Sequence, residues 1–231
     1  MIVMKYLVIV FLLLHTFFGF AQSNDSLPKI SFKTRSTYPL RPFYAPSALI
    51  VGGIVSEVNF KRSLNFELYK ERNNDIPHFK TRADDYLQYS PILLAYGFDA
   101  LGLPSKTDFI NRSVILFKSE LIMSAAVTGL KYTIRELRPD SSARTSVPSG
   151  HTAQAFAAAA FLSEEYGKRY KWVPYLSYTL ASTVGALRIM NNKHYLSDVL
   201  IGAGIGLLST KIPYWTHQYK WSKGKPNVQK L

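Results

Sequence analysis

The sequence predicts an all-helical protein. Three observations carry this: apolar residues gather into six stretches near 46–60, 87–103, 108–131, 151–166, 172–190 and 196–212, charged or Gly/Pro-containing breaks divide them, and none alternates as a strand would. At 231 residues the chain is expected to form one domain around one sizeable core. An apolar content of 47% against 19% charged residues leans toward membrane contact without the oiliness of a fully polytopic chain.

Taken in order, Met1 to Gln22 reads as a signal peptide over 1–21. Lys5 supplies the positive start, Tyr6 to Phe20 is almost continuously apolar, and Gly19-Phe20-Ala21 resembles a small-x-small cleavage site. An uncleaved anchor is the alternative, since the run with its flanks approaches bilayer length. Residues 22–43, with Pro28, Pro39 and Pro42, suit a polar surface lead-in. The helical domain is expected over 44–212, with five or six core helices. Its first stretch, 46–60, carries Glu57 and is read as not crossing a bilayer. The charged segment 61–86 reads as a solvated helical loop in which His78, Asp84 and Asp85 are outside candidates for substrate contact. Stretch 108–131 contains Arg112, Lys118 and Glu120, and the short Ala-rich stretch 151–166 contains Glu164 and Glu165. The bundle is therefore read as half in lipid or as fully soluble. The basic tail, 213–231, offers Trp215, Tyr219 and Trp221 to a membrane interface.

Twenty-eight Lys and Arg against fifteen Asp and Glu give a net charge of +13, which favours anionic partners: phosphate esters, anionic lipid surfaces or nucleic acid. Nucleic acid is set aside, because there is no zinc-ligand spacing, no ribonucleoprotein-type aromatic motif and no dense basic arm. The absence of cysteine excludes disulfides, thiolate nucleophiles and cysteine metal sites.

Three clusters carry chemistry. In the first, Lys131, Arg135 and Arg138 fall where a helix ends before Pro139, and can project together toward a doubly charged phosphate. Basic residues that merely complement a helix C-terminus would look the same. In the second, Ser146-Val-Pro-Ser149-Gly150-His151-Thr152, Ser149 is placed to cap the next helix. The free N–H groups there, with Gly150 allowing close approach, form an anion site beside His151. In the third, Arg188 precedes His194 and Asp198, which lie four apart on one helix face. A carboxylate against one imidazole nitrogen leaves the other free as base or nucleophile, although a buried structural bridge has the same spacing. In an up-and-down bundle all three clusters reach one pole, where cations, two histidines, a carboxylate and a helix N-terminus suit phosphoryl transfer.

These residues resemble the signature of the type 2 phosphatidic acid phosphatase (PAP2) and vanadium haloperoxidase superfamily: K-x6-R-P at Lys131 to Pro139, P-S-G-H at Pro148 to His151, and R-x5-H-x3-D at Arg188, His194 and Asp198. The resemblance covers roughly 108–212, and implies a helical bundle of that type. It departs from the pattern at Leu187, where serine is usual, and in the eight residues between Pro139 and Pro148, which suggest a tight, open loop. By this resemblance His194 attacks phosphorus, Asp198 orients it and His151 protonates the leaving alkoxide. Lys131, Arg138, Ser149, Gly150 and Arg188 hold the phosphoryl oxygens. The residues alone favour His194 over His151 as nucleophile only through the spacing to Asp198.

The expected function is a metal-independent phosphatase acting on lipid-linked phosphate or pyrophosphate, with no cofactor, from an exported, membrane-associated site facing the periplasm. The alternatives are a soluble periplasmic acid phosphatase, a vanadate-dependent haloperoxidase, and a phosphate-binding or structural membrane protein.

Overall fold

A computed structural model describes residues 40–57 and 63–217. These residues form eight helices and no strands: α1 Arg41–Glu57, α2 Leu64–Asp75, α3 Ala83–Leu87, α4 Ser90–Ala100, α5 Phe109–Ile134, α6 Gly150–Tyr166, α7 Val173–Met190 and α8 Leu196–Thr216. Local chemistry sets several of the ends. Asp108 accepts from the N–H groups of Ile110 and Asn111 to start α5, Ser149 caps α6, and Pro174 sits in the first turn of α7. The apolar run 1–22 lies outside the described residues.

The core is built on α6 and α8. The run Ala157 to Ala160 is buried together with Phe156 and Phe161, so α6 meets neighbours on every side. Its contact with α8 is nearly backbone to backbone. A Cβ on Gly206 would fall 2.2 Å from the Ala153 carbonyl oxygen, and one on Gly202 would fall 2.6 Å from that of Ser149. Only glycine permits this approach, a small-residue seam of the kind membrane helices use. The two helices run parallel, so both N-termini, which carry the second and third motifs, open at one pole. Helices α4, α5 and α7 pack around this pair.

Stretch 46–60, read in the sequence as not crossing a bilayer, lies in α1, which runs antiparallel along α8 from the Phe43–Trp215 ring contact at 5.7 Å to Gly53, where a Cβ would meet Ile201 at 2.6 Å and the Ser197 carbonyl oxygen at 2.9 Å. Glu57, the last described residue of α1, accepts from Asn65 Nδ2 at 2.7 Å.

Segment 61–86 is likewise no solvated loop. Asn65, Leu68 and Arg72, spaced three and four apart, form the buried face of α2. Leu68 joins Ile189, Leu196 and Val199 in a core cluster, and Arg72 donates to the carbonyl oxygens of Met190, Pro77 and Phe79. The segment looks solvated in sequence because most of its buried residues are polar, and Asn65, Arg72 and Asp84 have partners that only the tertiary fold supplies.

Helix α5 is apolar on the outside and polar within. Phe117 and Leu121 are exposed, Arg112 is wholly buried against Asp99 at 2.6 Å, and Glu120 accepts from Gln154 at 2.8 Å. Helices α5 and α8 are long and apolar enough to cross a membrane. Charges turned inward and apolar side chains turned outward on α5 are what lipid as solvent requires.

Gly206→Ala is expected to destabilise the bundle by about 1–3 kcal/mol through overpacking, seen as a lowered melting temperature in detergent. Gly129→Ala, on α5 with nothing within 4 Å of its added methyl, is expected to leave the melting temperature unchanged or slightly raised.

Candidate active site

The first motif reaches the site by a route the helical spacing did not foresee. Helix α5 stops at Ile134 because Arg135 takes a left-handed conformation, φ 53°. That turn leaves the Arg135 side chain exposed, with Nε donating to the Tyr132 carbonyl oxygen, so it does not join Lys131. Arg138 comes back through the loop instead. Its N–H donates to the Ala143 carbonyl oxygen at 3.0 Å, and Ser146 N–H donates to that of Glu136 at 3.0 Å. These bonds, with a Lys193–Asp140 ion pair, make the loop tight but closed, rather than open as its length suggested. Lys131 Nζ donates to the Thr145 carbonyl oxygen at 2.5 Å and lies within electrostatic reach of Arg138, Arg188 and Asp198.

In the second motif Ser149 is completely buried and spends its hydroxyl on the helix start, 2.8 Å from Thr152 Oγ1. Its own N–H donates to the Asp198 carbonyl oxygen at 3.0 Å, which ties this motif to the third. Gly150 and His151 begin α6, where the first-turn N–H groups have no helical acceptor and the positive end of the dipole points outward.

In the third motif His194 Nδ1 lies 3.3 Å from Asp198 Oδ2, with both side chains buried. The same oxygen accepts from Ser146 Oγ at 2.6 Å and from Tyr195 N–H at 2.9 Å. Nδ1 is thus engaged and Nε2 is the free nitrogen of His194. Burial pulls this imidazole down to about 4, outweighing the opposing effect of Asp198. The ring is therefore neutral, and nucleophilic, at neutral pH. Ser146 stood in the second cluster with no role. The contact that gives it one spans 52 residues, so no local pattern announces it.

Arg188, buried at the end of α7, donates from Nη1 to Asp84 Oδ2 at 2.6 Å, and Asn191 Nδ2 donates to Asp84 Oδ1 at 3.1 Å. The neighbouring Asp85 Oδ1 stands 2.8 Å from His151 Nε2. Two outside candidates of the charged segment therefore do contact the constellation, whereas His78 is exposed and takes no part.

Arg138 Nε and Arg188 Nε are buried and have no hydrogen-bond partner among the described residues. Buried donors are normally satisfied. Two orphaned guanidinium N–H groups beside Lys131 and a helix N-terminus are the complement of an anion with several acceptor oxygens. Burial, and then the repulsion of Arg188, pulls the Arg138 guanidinium below its ordinary range, which an anion would relieve. Asp84, Asp85 and His151 have ligand atoms within 4.8 Å of one another, the spacing of a metal site. With Asp84 already bound by a guanidinium, a metal cation there would face Arg188, so the donor set suits hydrogen bonding better.

Comparison with known proteins agrees with this geometry. Residues 113–222, which hold all three motifs, match the PAP2 superfamily. A lipid A 1-phosphatase from Porphyromonas gingivalis is 37% identical over 138 residues, 59% of this chain but 31% of that protein, so the chain spans about a third of its relative's length. The crystal structure of Aquifex aeolicus LpxE matches over 68% of this chain and 98% of its own, at 23% identity and a TM-score of 0.50, which is a likeness of fold. A transmembrane PAP2-type phosphatidylglycerolphosphate phosphatase from Bacillus subtilis matches over 74% of this chain and 94% of its own, with 21% identity and a TM-score of 0.46. With its three motifs drawn to one pole of a helical bundle and all held within the matched stretch, the chain carries a PAP2-superfamily region over residues 113–222.

Proposed function

We propose that this protein is a membrane phosphatase that removes phosphate from a lipid-linked phosphate ester through a phosphohistidine intermediate. The observation that carries the reading is the neutral, carboxylate-oriented His194 set among Lys131, Arg138 and Arg188, with two guanidinium N–H groups lacking partners. His194 Nε2 donates its lone pair to phosphorus as the bond to the leaving oxygen breaks, and His151 gives that oxygen a proton. Water then attacks phosphorus, surrenders a proton to His151 and displaces the imidazole. The cations and the N–H groups of Gly150 and His151 hold the equatorial oxygens, where charge gathers in the transition state. With the charge balanced by side chains, no metal is needed.

Lipid is favoured over a soluble ester by the surroundings. Tyr132, Ile134 and Leu137 lie within the first motif, and Tyr86, Tyr89 and Leu93 follow Asp85; all are exposed. Such a fringe suits an acyl-bearing substrate presented from the bilayer.

The reading also puts the site pole on the exported side. The short loop at the other pole, between α6 and α7, holds Lys168, Arg169 and Lys171, the kind of cluster that stays in the cytoplasm. Since α1 starts at the pole opposite the site, the chain then enters α1 from the cytoplasm, whereas a signal cleaved after Ala21 would have it enter from outside.

Three measurements test the proposal. Purified protein is expected to release phosphate from phosphatidic acid in the presence of EDTA. His194→Ala should reduce release to background, and Ser146→Ala should slow it about tenfold through loss of a donor to a buried carboxylate. Release by His194→Ala equal to wild type would remove the nucleophile. Because burial lowers His194 to about 4, the acid limb of kcat/KM, corrected for substrate ionisation, is expected near that value and not near the ordinary 6.5. The chain has no cysteine, so single cysteines at the exposed positions Arg144 and Lys168 can report sidedness. A membrane-impermeant maleimide should label Arg144→Cys and spare Lys168→Cys in intact cells; the reverse pattern would put the site in the cytoplasm.

A further inference from the structure

Each of the two histidines has a carboxylate of its own. His194 has Asp198 within its own motif, and His151 meets Asp85, which is 66 residues away in a helix of five residues. The placement of Asp85 is not that of a wandering surface side chain. Its neighbour Asp84 is buried, held by Arg188 at 2.6 Å and by Asn191 at 3.1 Å. Asn191 also fixes the preceding turn, donating to the Thr81 carbonyl oxygen and accepting from the Thr81 N–H. Helix α3 is therefore pinned to the end of α7, and the next residue along it faces the second histidine.

The geometry points to Asp85 as the positioning residue of the general acid, orienting His151 and holding it protonated for the leaving group. The inference rests on the phosphatase reading above. Asp85 Oδ1 engages Nε2 of His151, so Nδ1 is the nitrogen left to face the scissile oxygen. In the first half-reaction the Nδ1 proton passes to the leaving alkoxide as the P–O bond breaks, while Nε2–H stays on Asp85. In the second half-reaction Nδ1 takes a proton from the attacking water and the starting state returns. An alkoxide is a poor leaving group, so this proton is needed when the P–O bond breaks.

Electrostatics gives Asp85 a second task. The charged groups facing His151 are Arg188 from α7, with Asp84 and Asp85 from α3. Burial first, and then Arg188, disfavours an imidazolium and leaves His151 below its ordinary value, and half of the Asp84 carboxylate is already spent on that guanidinium. Asp85 is the carboxylate left to support the charged ring. Its side chain is 48% exposed and that of His151 31%, so solvent screens the pair and the effect is moderate.

The test compares kcat/KM for phosphatidic acid in detergent micelles, whose leaving group needs a proton, with para-nitrophenyl phosphate, whose leaving group does not. Asp85→Asn is expected to lower kcat/KM on phosphatidic acid about three- to tenfold, and on para-nitrophenyl phosphate by less than about twofold. The basic limb of the pH profile should move to lower pH, and Asp85→Glu should restore it. In a His151→Ala background Asp85→Asn should add no further loss. Equal losses on both substrates with an unmoved basic limb, a loss that persists without His151, or no loss at all would each overturn the role. A wild type that releases no phosphate from either substrate would instead overturn the phosphatase reading and this inference with it.

Discussion

Glycine at 202 and 206 lets two helix backbones touch, and the site grows from that contact. With no side chain between α6 and α8, the start of each helix lies against the start of the other, and the Ser149 N–H reaches the Asp198 carbonyl oxygen at 3.0 Å. A methyl group inserted at Gly202 would push Ser149 away from Asp198, and with it the helix N-terminus that faces the anion. Ser146 repeats the tie at side-chain level, so the carboxylate that orients His194 is held from two segments at once. Orientation within tenths of an ångström is what positioning catalysis requires, and here it is inherited from core packing.

Around that contact the charges are arranged in opposition. Lys131, Arg138 and Arg188 are mutually repulsive and partly desolvated, and stay together because Asp198, Asp84 and the backbone carbonyl oxygens of Thr145 and Ser146 face them. Protein groups supply only part of the compensation, which is why two guanidinium N–H groups remain unsatisfied in a buried place. An anion that fills the gap binds the folded state alone and stabilises it by mass action.

Much of this was legible in sequence, for physical reasons that differ between elements. Helices α5 to α8 announce themselves by long apolar runs with local signals near their ends: Ser149 caps the start of α6, and Pro139 bars α5 from continuing past the first motif, whatever the tertiary fold. The motif residues stood out as candidates by residue type and spacing, and the fold brings Lys131, Arg138, Arg188, His194 and Asp198 within electrostatic reach of one another. What stayed hidden is what depends on distant partners. Asn65, Arg72 and Asp84 look solvated until Ser197, Met190 and Arg188 are known to receive them. Arg135 and Arg138 look equivalent until the chain turns left-handed at 135 and separates them.

The Arg188–Asp84 pair bears on turnover as well as on shape. If the site transfers phosphoryl groups as proposed, a cradle of three uncompensated cations would hold inorganic phosphate as well as substrate, and slow release of that product would limit each round. Asp84 takes one N–H of Arg188 permanently and screens part of its charge. On that reading the remaining charge would steady a transferring phosphoryl group, and the neutralised part would loosen the hold on the free ion. Tighter binding of the ground state brings no gain in rate, and a buried aspartate next to the phosphate site keeps affinity within that bound.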